Sequence, residues 1–128
     1  RAVLPGMRSR GYGRIVLLGS MLSFISIPGR AAYASSKAAL LGLARTLALE
    51  AAPDGVCVNA LCPGPFETPM NRPLLEDPEK YRAFIAKLPI GRWAQPAEIR
   101  GVILLLCSPA CSFMTGASLV IDGGWTAQ

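Results

Sequence analysis

Ile15, Val16, Leu17 and Leu18 follow one another between Gly13 and Ser20. An apolar run without alternation predicts a strand covered on both faces, as in parallel sheets. A loop marked by Pro28 and Gly29 follows, and residues 32–52 read as a long helix that Pro53, Asp54 and Gly55 stop. Residues 56–62 give a second strand ending at Pro63 and Gly64, residues 96–107 a second helix, and residues 118–122 a third strand before Gly123 and Gly124. Strands alternating with helices predict an α/β fold with a parallel sheet.

Between the second strand and the later helix, residues 65–95 form an insertion longer than an ordinary connection. Asp77 is a good N-cap and Pro78 a good first helical residue, and Tyr81, Phe84, Ile85 and Leu88 then recur at helical spacing. That apolar face predicts a short helix, and it serves either simple packing or substrate enclosure as a lid. At the other end of the chain, residues 2–7 read as the last turns of a helix already under way. A parallel sheet of three strands would also expose an apolar edge that natural proteins avoid. The expectation is one partial domain over residues 1–128, the C-terminal half of a doubly wound sheet.

Composition narrows the class. With 128 residues, 52% hydrophobic and 16% charged, the chain has the makings of a folded core and not of a disordered segment. The net charge of +5 is concentrated at the start, in Arg1, Arg8, Arg10 and Arg14, and otherwise scattered, which gives no basic stripe for nucleic acid. Cys57, Cys62, Cys107 and Cys111 form no Cys-x-x-Cys pair, and there is no histidine, so no metal site is expected and the thiols read as reduced core residues. No apolar run approaches the ~20 residues of a membrane span, and no secretory h-region opens the chain. The expected location is cytoplasmic.

The missing histidine also removes the usual general base for serine or cysteine nucleophiles. Gly-x-Ser-x-Gly is absent, and Ser-x-x-Lys fails because Ala34 stands where the serine would be. What the chain does hold is Tyr33 and Lys37, four residues apart on the long helix, with Ser20 at the end of the first strand. Residues i and i+4 share a helix face, so the Lys37 ammonium lies beside the Tyr33 phenol and favours its ionised form. A tyrosine so placed shuttles a proton, and a serine at the carboxyl end of a parallel strand orients the reacting oxygen where open α/β sheets bind ligands. Neither supplies a hydride, so the set requires a redox cofactor, for which nicotinamide is the economical choice. Pro63 and Gly64 end the neighbouring strand at the same edge, with Pro65, Phe66 and Thr68 just beyond; a flat ring fits there, although an ordinary strand-to-loop turn explains Pro-Gly equally well.

On these residues the chain resembles the short-chain dehydrogenase/reductase family. The resemblance is carried by Gly-Arg-Ile-Val-Leu-Leu-Gly-Ser at 13–20, Tyr-Ala-Ser-Ser-Lys at 33–37, Asn-Ala-Leu-Cys-Pro-Gly at 59–64, and Met-Thr-Gly-Ala-Ser-Leu-Val-Ile-Asp-Gly-Gly-Trp at 114–125. It implies a Rossmann-type sheet, NAD or NADP as cofactor, and interconversion of a carbonyl and a secondary alcohol. It further implies that Tyr33 is the acid/base, that Ser20 positions the substrate oxygen, that Lys37 supports the tyrosine and holds the nicotinamide ribose, and that Pro63 through Thr68 flank the nicotinamide. Dimers or tetramers, built through the long helix and the C-terminal strand, are common in the family, and Ala38, Ala39, Gly42 and Ala44 suit close helix approach. The stretch 59–92 and the ending most resemble gluconate 5-dehydrogenase-like and 3-oxoacyl-carrier-protein reductase-like members. The family's first half, with its Gly-rich pyrophosphate turn and catalytic asparagine, has no counterpart in this sequence. An alternative of another class is therefore a non-enzymatic half-domain that associates with, or modulates, a full-length relative.

Overall fold

The computed structural model describes residues 2–128. Arg1, counted above with the basic cluster, lies outside the described residues. The elements run α1 (Leu4–Ser9), β1 (Gly13–Leu18), α2 (Ala31–Ala51), β2 (Val56–Pro63), α3 (Arg72–Leu75), α4 (Pro78–Ile85), α5 (Arg100–Cys107) and β3 (Ser118–Ile121). The three strands form one parallel sheet in the order β1-β2-β3, with Gly13 opposite Val56, Leu18 opposite Leu61, and Ala60 opposite Ser118.

Why the strands are apolar at most positions is visible in what each side of the sheet touches. On one face Ile15, Leu17, Val56, Val58, Ala60 and Cys62 pack against Leu41, Ala44, Leu47, Ala48 and Ala51 of α2. On the other, Val16, Leu61, Leu119 and Ile121 pack against Ile99, Val102 and Leu106 around α5. Alternate residues of β1 and β2 thus meet different helices, the doubly wound arrangement that a continuous apolar run demands. Small residues of α2 let its backbone approach the sheet, and Ala44 is among them, fully buried beneath the helix and not on a free face. Ala38 and Ala39 are exposed.

Several boundaries differ from the sequence pattern for local reasons. The first strand stops at Leu18, because Ser20 turns the chain by capping a 3-10 turn at Met21–Ser23. The second helix is 3-10 over Pro96–Ile99 and α-helical only from Arg100. Helix α1 starts at Leu4, with Pro5 in its first turn, where a missing N–H costs nothing. Cys57, Cys62 and Cys111 are buried, whereas Cys107, at the end of α5, is exposed. Two of the N-terminal arginines are absorbed internally: Arg8 pairs with Asp54 at 2.9 Å, and Arg14 lies over the Tyr12 ring.

The insertion holds α3 as well as the expected α4, whose N-cap Asp77 accepts a hydrogen bond from the Lys80 amide. Tyr81, Phe84, Ile85 and Leu88 close over Trp93 and Trp125, with Phe84 meeting both indoles edge-on or tilted at 5.2 and 4.8 Å. Met21 and Leu22, the two residues after Ser20, are buried in the same cluster. The insertion is thereby packed against the turn that carries Ser20.

Candidate active site

Ser20, Lys37 and the end of β2 meet at the carboxyl edge of the sheet. Ser20 is buried, its extended backbone following Gly19, whose amide donates to the Leu61 carbonyl at 2.8 Å and so ties the turn to β2. The Ser20 hydroxyl accepts a hydrogen bond from the Leu22 amide at 3.1 Å. That contact uses an oxygen lone pair and leaves the hydroxyl hydrogen free to be donated.

Tyr33 and Lys37 occupy the first turns of α2 on one face. Lys37 Nζ donates to the Leu18 carbonyl at 2.8 Å and stands 5.7 Å from the centre of the Tyr33 ring. The ammonium therefore bridges the tyrosine's helix to the strand end two residues before Ser20. Tyr33 remains 44% exposed, enough to meet a ligand. Lys37 also acts on Cys62, which lies beneath the turn; burial pushes that thiol up from its ordinary range, against donors from Ser20 and Ser23 and the Lys37 charge.

Beyond β2 the placement is more varied. Gly64 donates to the Ile121 carbonyl at 2.8 Å and passes so near β3 that a Cβ would lie 2.6 Å from the Asp122 Cα. Only glycine permits that crossing. Pro63 is half-buried and Pro65 is buried. Phe66 turns inward at 8% exposure, and its carbonyl accepts from the Asn71 side chain at 2.9 Å, so its ring shapes the turn from within and presents no free face. Thr68 is half-buried and extended, and its side chain caps nothing in the following turn. Asp122 closes the edge: its carboxylate accepts from the Gly124 amide and from both the amide and hydroxyl of Thr126.

Two residues at this edge escaped the sequence reading, Ser23 and Cys62. The Ser20 amide donates to the Ser23 hydroxyl at 3.2 Å, a local pattern that Ser-x-x-Ser at 20–23 foreshadows. The contact to Cys62 is between strands and leaves no local signature. Among the described residues, no three His, Cys, Asp or Glu converge as metal ligands, and no helix is long and apolar enough to cross a membrane.

Comparison with known proteins gives this geometry a lineage. A family model described as enoyl-(acyl carrier protein) reductase matches residues 1–126. The 2-(R)-hydroxypropyl-CoM dehydrogenase of Xanthobacter autotrophicus is 39% identical over 127 residues, covering 99% of this chain and 51% of that protein. Human dehydrogenase/reductase SDR family member 4 is 41% identical over 124 residues, covering 97% and 45%. The crystal structure of a gluconate 5-dehydrogenase from Burkholderia cenocepacia, in complex with NADP and tartrate, superposes with a TM-score of 0.96 at 36% identity, covering 99% of this chain and 50% of that one. The chain spans about half the length of the relatives it matches. By family match, sequence identity and fold together, the chain belongs to the short-chain dehydrogenase/reductase family.

Proposed function

We propose that residues 1–128 are the catalytic half of a Rossmann-type, NAD(P)-dependent oxidoreductase that interconverts a carbonyl and a secondary alcohol. The observation that carries this reading is the Lys37 ammonium, hydrogen-bonded to Leu18 at the strand end and stationed over Tyr33. It gathers a proton-transfer group, a cation and an oriented hydroxyl at one sheet edge.

The donor set suits a nicotinamide nucleotide, NAD or NADP: Lys37 to hold the ribose hydroxyls, and the Pro63–Thr68 turn to flank the ring, with the Thr68 hydroxyl available to its carboxamide. A solved family member at 36% identity that carries NADP supports that choice. When bound, the nicotinamide supplies or removes the hydride, which no side chain can do. The Ser20 hydroxyl, with one lone pair already engaged by Leu22, donates to the substrate oxygen and fixes its direction. Tyr33 takes the alcohol proton in oxidation and returns it to the forming alkoxide in reduction. Lys37 stabilises negative charge on the phenolic oxygen while the proton is away. The insertion, packed on Met21 and Leu22, holds the serine turn in place.

The test is a pair of titrations and a turnover assay, using NADPH for binding and gluconate with NADP⁺ or NAD⁺ for reaction. Tyr33→Phe is expected to bind NADPH as the unaltered chain does, and to lose turnover, since only the transferable proton is removed. Turnover at the unaltered rate in Tyr33→Phe refutes the assignment. The assays use the complete protein that contains this chain; if that protein binds no NADPH, a non-enzymatic role through association with a relative is favoured instead.

A further inference from the structure

Gly19 and Ser20 rest on a buried pair of side chains that the reaction scheme above does not use. The Ser23 hydroxyl accepts from the Ser20 amide at 3.2 Å. Cys62, at 0% exposure, lies beneath the same turn, close under Gly19 and beside Ser23. A Cβ on Gly19 would lie 2.8 Å from Cys62 Sγ and 3.2 Å from Ser23 Oγ, so the two polar atoms fill the space under the turn completely. Burial keeps the thiol in its neutral form, which suits it for holding hydrogen bonds and not for attack.

We propose that Ser23 and Cys62 are positioning residues that set the direction of the Ser20 hydroxyl. The inference rests on the oxidoreductase reading. Its logic is geometric. The Ser20 hydroxyl is aimed by its bond from the Leu22 amide, and that bond exists only while the Ser20–Ser23 turn is closed. Ser23 closes the turn from its far end, and Cys62, at the end of β2, packs beneath Gly19 beside it. The strand that ends in the Pro63–Gly64 turn therefore also fixes the serine, so that the two sides of the edge keep their spacing.

Two measurements test this in the complete protein that contains this chain, unaltered and as Ser23→Ala, Ser23→Thr, Cys62→Ala and Cys62→Ser. Amide hydrogen exchange is read by NMR, and kcat, KM and the NADPH Kd are taken with gluconate and NADP⁺. In Ser23→Ala, exchange protection at Ser20 and Leu22 is expected to fall about five-fold, the equivalent of one ordinary neutral hydrogen bond, with α2 and β2 unchanged. The kcat is expected to fall by a similar factor while the NADPH Kd holds. Ser23→Thr and Cys62→Ser, which keep a hydroxyl in place, are expected to restore most of both. Unchanged protection at Ser20 in Ser23→Ala overturns the proposal, with or without turnover, and so does an unchanged kcat. The Tyr33→Phe control separates the two levels: full turnover there sinks the oxidoreductase reading, whereas its loss beside an unaffected Ser23→Ala sinks only the positioning role.

Discussion

Replacing Gly64 with alanine drives a methyl group into the backbone of β3. The added carbon would lie 2.6 Å from Asp122 Cα, 2.7 Å from its Cβ and 3.2 Å from its carbonyl carbon, whereas carbon atoms pack at about 3.5–4.0 Å. The strands must therefore part locally by about 1 Å. Neither neighbour is the loose end of a flexible side chain, so the relief must come from the ladder itself, including the 2.8 Å bond from Gly64 to Ile121. Overpacking of this kind costs about 1–3 kcal/mol, and weakening the ladder bond adds up to about 1, for an expected loss of about 1–4 kcal/mol. Against the 5–15 kcal/mol that typically holds a domain together, that is a large fraction. Urea denaturation followed by circular dichroism reads the difference, with the slope expected to stay constant. Gly42→Ala is the matched control: it lies within α2 with nothing near its notional Cβ, so alanine there is expected to stabilise by about 0.5–1 kcal/mol. A Gly64→Ala variant within about 0.5 kcal/mol of the unaltered chain refutes the claim that this crossing is sterically closed.

Two further outcomes follow from charged groups. Lys37→Ala removes both the tie to Leu18 and the cation over Tyr33, so NADPH affinity and turnover are expected to fall together, each by about ten-fold or more; an unchanged NADPH Kd contradicts the double role. The Arg92 guanidinium, bonded to both carboxylate oxygens of Glu98, and the Gln95 amide hold that carboxyl down from 4.5 to about 2. A carboxyl whose folded value is depressed contributes stability above its unfolded value and loses it as pH falls, here between about 4.5 and about 2. Thermal melts across that window are expected to show an acid limb that flattens in Arg92→Met, and identical limbs in the two proteins disprove the linkage.

The strands and α2 were legible because burial on both faces of β1 and β2 favours long apolar runs, and because Pro53 and Gly55 punctuate the chain. The Tyr33–Lys37 relation was legible for the same kind of reason, since helical spacing puts both on one face before any tertiary contact is known. What could not be read depends on residues distant in sequence. The inward turn of Phe66, at 8% exposure, has no local signal in the sequence. Ala44 suited an open helix face by size, but 3.6-residue periodicity places it with Leu41 and Ala48 against the sheet. Helix α3, four residues long, is below the length at which periodicity carries a signal. The Cys62 contact with the Ser20 turn arises from strand pairing, and no spacing within either segment encodes it.

Both tryptophans of the chain, Trp93 and Trp125, sit in the one cluster that joins the insertion to the residues after Ser20. The protein thus carries a built-in optical reporter beside the turn that holds Ser20. Indole emission is silent about the distant ends of the sheet, and it shifts to the red only when water reaches this cluster. Ligand entry, movement of α4 and loosening of the serine turn can therefore be followed in real time without a label.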